Sequence, residues 1–225
     1  MGRGASRASG MSSMTYSVKE IFYSLQGEGA HAGRPAIFCR FSGCNLWSGR
    51  EQDRSTAVCK FCDTDFVGTD GIGGGQFTTA EALAGKIKSY WPDSITVQAR
   101  PYVICTGGEP LLQLDEALIK ALHVEGIEIA IETNGTIPIP EGIDWVCVSP
   151  KAGSKCIVDE GDEIKLVYPQ FGNYPSDFSG GKFRHFFLQP MDEAGVDNTE
   201  ITVKYCLDNP KWQLSLQTHK ILGLR

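Results

Sequence analysis

Long hydrophobic runs are absent from this sequence. No apolar stretch approaches the roughly 18 residues that a helix needs to cross a bilayer, and residues 1–13 are small and polar, without the apolar segment of a secretory signal. We therefore expect no membrane partner and a cytoplasmic location. Residues 1–13 are expected to be a disordered leader, a cloning remnant or the result of an upstream start codon, and residues 14–225 to form a single domain.

Positive charge is also in short supply. Lysine and arginine number 21 against 27 aspartates and glutamates, for a formal net charge of −6, and Arg3 and Arg7 lie in the leader. Because nucleic-acid phosphates attract basic proteins, an acidic surface predicts no nucleic-acid partner. It still allows a small anionic substrate bound by one or two local arginines.

Histidine is scarce, whereas cysteine is not. The four histidines stand singly, so no catalytic role is assigned to His31, His123, His185 or His219. Without a secretion signal, the eight cysteines indicate metal binding or burial rather than disulfides. Four of them fall in strand or helix patterns and are expected to be buried: Cys39, Cys105, Cys147 and Cys206.

Seven short segments rich in apolar and β-branched residues predict strands. Most are nearly continuous rather than alternating, which is typical of a parallel sheet covered on both faces. The segments are Ala36–Phe41, Tyr102–Thr106, Ile127–Glu132, Trp145–Ser149, Ile164–Tyr168, Phe186–Gln189 and Leu214–Gln217.

Helical patterns separate some of these strands. A capping box, Thr78-Thr79-Ala80-Glu81, predicts the start of one amphipathic helix, and Gly126 predicts the end of a second that begins near Leu114. A third helix is expected over about Thr199–Leu207. Strands that alternate with too few helices for a full barrel predict an α/β fold, an incomplete βα barrel with a mostly parallel sheet.

Two segments have the composition of loops. Asn45–Val58 is polar and is expected to bulge into solvent. Gly68–Gln76 contains five glycines and is expected to be a flexible connector.

Three cysteines carry the strongest chemical signal. Cys44 is followed by Cys59 after fourteen residues and by Cys62 after two more. Three thiolates can hold a 4Fe–4S cluster and leave one iron open for a further ligand. Two alternatives remain at this point: a structural zinc site completed by a histidine, or three unrelated buried thiols.

A second signal follows the strand that ends near Thr106. The sequence Thr106-Gly107-Gly108-Glu109-Pro110 places two glycines at a strand end, where the backbone can approach a ligand closely. By itself such a turn is weak evidence, because an ordinary turn has the same residues. The carboxyl ends of strands in βα folds are nevertheless where sites lie.

Together the cysteine triad and the GGE loop resemble the radical S-adenosylmethionine (SAM) superfamily. Further motifs resemble one branch of it, the 7-carboxy-7-deazaguanine synthase family. They are Ser24–Gly29, Arg40-Phe41, Phe61–Thr64, Glu132–Gly135, Ser149–Lys151, Gln189–Asp192 and Gln217–Lys220. The superfamily's usual triad has three residues between its first two cysteines, and the fourteen found here are similar to an expanded motif in some members of this family.

The resemblance implies a ring contraction. In that family 6-carboxy-5,6,7,8-tetrahydropterin is converted to 7-carboxy-7-deazaguanine and ammonia, with a 4Fe–4S cluster, SAM and Mg²⁺ as cofactors. The product feeds the biosynthesis of queuosine and other 7-deazapurines. A one-electron donor such as flavodoxin and a homodimeric state are implied as well.

The resemblance also implies residue roles. Cys44, Cys59 and Cys62 would hold the cluster, and Thr64 would bind Mg²⁺, with Asp63 as its rival by charge. SAM would contact Phe61, Cys62, Asp63, Gly107, Gly108, Glu109, Glu132, Ser149, Pro150, Lys151, Gln189, Pro190, Met191 and Asp192. The pterin would contact Leu25, Gln26, Gly27, Glu28, Arg40, Thr106 and, through its terminal carboxylate, Arg225.

Some of these roles have plainer alternatives. Arg40 can be a structural arginine, Gln26 and Glu28 can belong to a glycine-flanked turn, and Thr64 can be a helix or turn cap. For the whole chain, two other functions remain: a radical SAM activase of a glycyl-radical enzyme, or a zinc-stabilised binding module without catalytic activity.

Overall fold

The predicted strands assemble into one twisted sheet in a computed structural model that describes residues 15–94 and 99–225. The leader expected over residues 1–13 lies outside the described residues. In the described part the main sheet has nine strands in the order β11-β8-β7-β6-β5-β4-β2-β1-β3. They are β1 (Tyr16–Leu25), β2 (Pro35–Phe41), β3 (Gly75–Phe77), β4 (Tyr102–Gly107), β5 (Glu128–Thr133), β6 (Trp145–Val148), β7 (Glu160–Tyr168), β8 (Lys182–Pro190) and β11 (Gln213–Leu214).

Strand direction defines the architecture. From β2 through β4, β5, β6, β7 and β8 to β11, every neighbouring pair is parallel, whereas β1 is antiparallel to β2 and to β3. The edge strands β3 and β11 do not pair with each other, so the sheet stays open. The α/β fold with a mostly parallel, incomplete barrel is confirmed.

Helices lie at four places along the described chain. They are α1 (Ala80–Lys88), α2 (Glu116–Val124), α3 (Thr199–Asp208) and α4 (Thr218–Leu222), with short 3₁₀ helices at Gly29–His31, Glu51–Thr56, Pro110–Leu112 and Pro175–Phe178. A separate two-stranded ribbon is formed by β9 (Asp192–Glu193) and β10 (Val196–Asp197). None of the helices in the described ranges is long and apolar enough to span a membrane.

The start of α1 differs from the predicted capping box. Thr79, not Thr78, is the N-cap, and its hydroxyl accepts a hydrogen bond from the backbone N–H of Ala82. Glu81 is therefore one position too early for the reciprocal bond of a capping box. Because Thr78 and Thr79 are adjacent, the sequence pattern does not show which of them is the N-cap. At the other predicted boundary, Gly126 has a φ of 71° directly after α2, as a C-cap glycine should.

The sequence pattern missed β1 and overestimated β11. β1 carries Lys19 and Glu20 among its apolar residues, so it lacks the continuous apolar run of the parallel strands. Both side chains are nevertheless buried, at 9% and 8% exposed. The strand predicted over Leu214–Gln217 is reduced to Gln213–Leu214, because only these residues pair with β8.

Alternation along the strands separates two layers of core. Odd-numbered residues of β2 and β4, such as Ile37, Phe41 and Val103, pack beneath α1 and α2. Even-numbered residues, such as Ala36 and Tyr102, line the concave face. Cys39, Cys105 and Cys147 are buried as predicted, and Cys206 is half-buried.

The glycine-rich segment is fastened to β1 rather than free. The backbone N–H of Gly71 bonds to the carbonyl of Lys19 at 2.9 Å, and that of Ile21 bonds to the carbonyl of Ile72 at 2.8 Å. A Cβ atom on Gly74 would overlap the Lys19 carbonyl. Gly68–Gln76 is thus a connector that is hydrogen-bonded to β1, and Gly71 and Gly74 allow its backbone to approach that strand closely.

Candidate active site

Two adjoining cavities open at the carboxyl ends of the parallel strands. The first has a volume of about 170 Å³ and contains the predicted cluster cysteines. The second has a volume of about 250 Å³ and lies against β1, β2 and the C-terminal segment. Both are lined by Glu28, Asp63, Thr64, Thr106, Glu132 and Gln217, so they are two halves of one site. We call them the thiol cavity and the arginine cavity.

Three thiols form one wall of the thiol cavity. Cys44, Cys59 and Cys62 all line it, and the backbone N–H of Leu46 reaches the Cys44 sulfur at 3.4 Å. A hydrogen bond with the Cys59 thiol lowers the pKa of Cys62 to about 6 and raises the pKa of Cys59. The positive charge of Lys151 favours the thiolate at both cysteines. Thiolates are the form that binds metal.

The three thiols are compatible with a cluster. Across residues 15–94 and 99–225, no three His, Cys, Asp or Glu side chains are close enough together to hold one metal ion. The thiolates of an iron–sulfur cluster bind different irons and therefore stand further apart than the ligands of one zinc ion. Three thiols on one cavity wall, with N–H donors to sulfur and a nearby lysine, fit a 4Fe–4S cluster.

The Gly-Gly turn brings backbone against the cysteine loop. Gly107 has a φ of 116°, and a Cβ atom on Gly108 would overlap the carbonyl of Gly43, directly before Cys44. Gln189 also lines this cavity. Its Oε1 atom is the one buried side-chain nitrogen or oxygen in the described chain that has no hydrogen-bond partner. An unpaired acceptor and a glycine cradle beside the thiols fit a polar ligand such as SAM.

Most residues predicted to contact SAM line the thiol cavity. They are Phe61, Cys62, Asp63, Gly107, Gly108, Glu132, Ser149, Lys151, Gln189, Pro190 and Asp192. The other three, Glu109, Pro150 and Met191, do not line it. The backbone carbonyls of Pro150 and Met191 accept bonds from Asn173 and Asn198 respectively, each at 3.0 Å.

Glu109 is held entirely by the protein. It is fully buried, and its carboxylate accepts hydrogen bonds from Thr133 Oγ1 and the backbone N–H of Asn134, both at 2.8 Å, and from the N–H of Leu111 at 3.1 Å. Burial raises its pKa. In this geometry Glu109 ties the loop after β4 to the loop after β5 instead of pointing at a ligand.

All seven residues predicted to contact the pterin line the arginine cavity: Leu25, Gln26, Gly27, Glu28, Arg40, Thr106 and Arg225. Glu20 joins its two arginines, accepting from Arg40 Nε at 2.9 Å and from Arg225 Nη2 at 2.8 Å. The carbonyl of Arg225 accepts a hydrogen bond from Ser24 at 3.0 Å, which anchors the chain end beside β1.

Thr64 lies where the two cavities meet. Its rival for Mg²⁺, Asp63, is engaged by Lys220, whose ammonium lies 2.6 Å from carboxylate oxygens of both Asp63 and Asp192. Burial opposes ionisation of Asp63, but the bond from Lys220 outweighs it and lowers the pKa of this carboxyl.

The polar insert contributes apolar residues to the site. Leu46 and Trp47 line the thiol cavity and are 9% and 7% exposed. The Trp47 ring meets the Phe66 ring edge-on at 5.6 Å between centroids. Asn45–Val58 therefore does not simply bulge into solvent, since its first residues pack beside the cysteines.

Sequence reasoning missed several residues of the site. Lys165, Gln217, His219 and Lys220 line one cavity or both. Lys165 was the most visible of them, because it is a lone charge inside the apolar segment Ile164–Tyr168. Its Nζ ion-pairs with Glu28 and lies 3.3 Å from Glu132 Oε1.

The class of the protein follows from where these groups meet. The cysteine loop and the Gly-Gly turn lie against each other at the carboxyl ends of an open parallel sheet. This is the fold and the site of a radical SAM enzyme.

Curated relatives narrow the class to one family. A 7-carboxy-7-deazaguanine synthase from Caulobacter vibrioides is 60% identical over 215 residues, covering 94% of this chain and 100% of that protein. Those from Bordetella pertussis and Bacteroides thetaiotaomicron are 59% and 44% identical over the same shares. A crystal structure of QueE from Escherichia coli has a TM-score of 0.63 and 26% identity, covering 90% of this chain and 93% of that one. No family model matches the chain.

The chain belongs to the 7-carboxy-7-deazaguanine synthase family. These proteins are radical SAM lyases of queuosine and 7-deazapurine biosynthesis, and they need a 4Fe–4S cluster and SAM. The family resemblance read from the motifs is confirmed. Identities of 57–60% to curated synthases favour this interpretation over the glycyl-radical activase and the zinc-stabilised module.

Proposed function

We propose that this chain converts 6-carboxy-5,6,7,8-tetrahydropterin to 7-carboxy-7-deazaguanine with release of ammonia. The observation that carries the proposal is the arginine cavity, which is lined by Arg40 and by the carboxylates Glu28 and Glu132. It shares lining residues with the thiol cavity. A carboxylated pterin has an anionic group at one end and an N–H-rich edge at the other. The two kinds of side chain are complementary to these two ends.

Cys44, Cys59 and Cys62 would hold the 4Fe–4S cluster. When bound, the cluster and SAM supply the one-electron chemistry that starts the ring contraction. The chain's own contribution is to orient and enclose the reactants. The Gly107-Gly108 turn would receive the methionyl end of SAM, and the unpaired Gln189 oxygen would accept a hydrogen bond from its nucleoside.

Arg40 would bind the substrate carboxylate, and the terminal carboxylate of Arg225 would contact the pterin. Both guanidinium groups reach Glu20, which fixes the direction of Arg40 and leaves it further N–H donors for the ligand. Gln26 and Thr106 each donate to Glu132, so the acceptors for the pterin edge are held in place before it binds. Thr64, at the junction of the cavities, would place its hydroxyl on Mg²⁺, a hard cation that prefers oxygen ligands.

Family resemblance supports three further elements of the proposal. The chain would act as a homodimer, receive its electron from a donor such as flavodoxin, and work in the cytoplasm. The acidic net charge of −6 accords with a small-molecule substrate rather than a nucleic acid.

Anaerobic reconstitution tests the proposed function directly. The purified chain is incubated with SAM, a reductant and carboxytetrahydropterin, with iron and sulfide analysis beforehand. We expect about four irons per chain, as a 4Fe–4S cluster requires, together with formation of 7-carboxy-7-deazaguanine. Zinc without iron, or an iron-loaded chain that leaves the pterin unchanged, would overturn the proposal.

A further inference from the structure

A buried lysine on β7 links the two cavities. The side chain of Lys165 is 6% exposed and lines the thiol cavity. Its ammonium group ion-pairs with Glu28, in the loop after β1, and with Glu132, at the end of β5. Removing a charge from water is costly unless it is well paired. Both partners line the arginine cavity, so the lysine lies directly behind the proposed substrate site.

Both carboxylates are held from a second side as well. Glu132 Oε1 accepts from Gln26 Nε2 and Glu132 Oε2 from Thr106 Oγ1, each at 3.1 Å. Glu28 Oε1 accepts from Gln217 Nε2 at 3.0 Å. Gln26, Thr106 and Gln217 are all neutral donors. Lys165 is therefore the cation of this network.

Negative charge exceeds positive charge around the lysine. Glu28 and Glu132 face its ammonium group, Glu163 precedes it by two residues on β7, and the Cys147 thiol faces it from β6. Glu163 is 3% exposed and accepts a hydrogen bond from the N–H of Ala30 at 2.8 Å. Without a cation, buried carboxylates take up protons because burial disfavours their charged form.

We propose that Lys165 is a positioning residue that orients Glu28 and Glu132 to accept hydrogen bonds from the N–H edge of the pterin and keeps Glu132 ionised, an inference that rests on the proposed function. A protonated carboxyl would direct an O–H donor at the N–H groups of the pterin, and two donors cannot form a hydrogen bond with each other. The pKa directions agree: burial opposes ionisation of Glu132, yet Lys165, together with the hydrogen bonds from Gln26 and Thr106, outweighs it and lowers the pKa of that carboxyl. Burial likewise lowers the pKa of Lys165, and Glu132 and Glu28 reverse that effect.

The variant Lys165→Met tests this role, because it keeps an unbranched side chain and removes the charge. We expect KM for carboxytetrahydropterin to rise roughly 10- to 100-fold at pH 7, as for a lost hydrogen bond to a charged group. The KM should fall again as pH rises, because Glu132 of the variant ionises only at higher pH. Iron content should match that of the unmodified chain, whose KM should not show this pH dependence.

Two further variants keep the test decisive. Lys204→Met removes a lysine that is paired with a carboxylate, Asp208, but lines neither cavity, so KM should not change. Lys165→Arg keeps the charge, but its bulkier guanidinium group displaces the two carboxylates, so KM should rise without becoming pH-dependent. If Lys165→Met fails to fold, Lys165→Arg decides alone, and an unchanged KM in that variant would overturn the proposal.

The outcomes separate this inference from the proposed function. A Lys165→Met enzyme with an unchanged KM and pH profile would refute the positioning role while leaving the unmodified chain active on the pterin. An unmodified, iron-loaded chain that does not turn over the pterin would instead refute the proposed function. A pH-dependent KM in Lys165→Arg would also overturn the positioning role, since the positive charge is retained.

Discussion

At the scale of single residues, the cysteines of this chain lie in two different environments. Cys59 and Cys62 share a hydrogen bond and line the thiol cavity with Cys44. Cys39, Cys105 and Cys147 are buried in strands, and burial raises the pKa of each. A thiol kept protonated in an apolar core is a poor metal ligand. The triad differs from these cysteines because it lines a cavity, and within it Cys62 has a lowered pKa, which favours the thiolate.

Replacing one thiol of the triad should remove the cluster. In Cys59→Ala we expect loss of the iron and sulfide bound by the reconstituted protein, because two thiolates do not hold a cluster that needs three. Iron, sulfide and visible absorption measure the effect. Cys206→Ala is the matched control, since Cys206 is half-buried on α3 and lines neither cavity. Full iron content in Cys59→Ala would contradict the assignment.

Arg40 allows a test of carboxylate recognition. In Arg40→Lys we expect kcat/KM for carboxytetrahydropterin to fall roughly 10- to 100-fold, because a lysine cannot form the two parallel bonds of a guanidinium group. SAM binding should persist. Arg184→Lys, which changes a guanidinium paired with Asp162 outside both cavities, should leave kcat/KM unchanged. Equal kinetics for the two variants would exclude Arg40 from the substrate site.

At the scale of elements, the site depends on two loops that touch through glycine. The N–H of Glu109 bonds to the carbonyl of Gly43 at 3.0 Å, and that of Gly108 bonds to the carbonyl of Phe41 at 3.2 Å. These bonds join the turn after β4 to the cysteine loop after β2. Because β2 and β4 are parallel neighbours, both loops leave the same edge of the sheet. The Gly107-Gly108-Glu109 turn therefore supports the cysteine loop.

Adding one methyl group at this contact should disrupt it. Gly108→Ala places a Cβ atom on the Gly43 carbonyl, and we expect a loss of about 1–3 kcal/mol in unfolding free energy, as for overpacking, together with weaker SAM binding. Gly85→Ala, in α1, is the control, since its Cβ meets nothing within 4 Å. That change should stabilise the chain by about 0.5–1 kcal/mol. Denaturant unfolding measures both, and equal effects would refute the close contact.

At the scale of the whole molecule, four carboxyls of the described residues pair with a lysine and have a lowered pKa, whereas burial raises the pKa of one. A bond from Lys19 lowers the pKa of Asp65 and of Asp70. In Asp63 and Glu132, burial is outweighed by lysine partners and the pKa is also lowered. Burial raises the pKa of Glu109. Because more of these carboxyls have a lowered pKa than a raised one, the fold should lose stability at acidic pH.

The pH dependence of stability follows from these directions. A carboxyl whose pKa is lowered in the folded state stabilises the fold fully above its unfolded pKa, about 4, and loses this contribution as pH falls through the folded pKa. We expect the unfolding free energy of the cluster-free protein to decline as pH falls from about 5 to about 3, because these carboxyls then take up protons. Glu109, whose pKa is raised by burial, acts in the opposite direction: its protonation at low pH favours the folded state.

Denaturant titrations at fixed pH, followed by tryptophan fluorescence, would measure this decline. High salt serves as a control, because it screens the exposed carboxylates of the Lys19 pairs more than the buried Glu132 pair. A stability that rises between pH 5 and pH 3 would contradict the prediction.

Local pattern was sufficient for the parallel strands and for the family. Continuous apolar runs predicted β2, β4 and β5 to within one residue at each end. The Cys44, Cys59 and Cys62 triad and the GGE turn are short motifs whose chemistry is visible in their residues. Such features are local, so their neighbours along the chain specify them.

Only the tertiary structure decided how distant groups meet. Lys165 and Glu28 are 137 positions apart, and Gln26 and Glu132 are 106 apart. Strand order and register bring such residues together, and no local periodicity encodes them. The same holds for β1, whose charged residues are buried by the fold, and for Glu109, whose carboxylate is taken up by Thr133 and Asn134. Sequence alone specified the motifs and most strands, while the open sheet arranged them into two joined cavities with a buried lysine behind them.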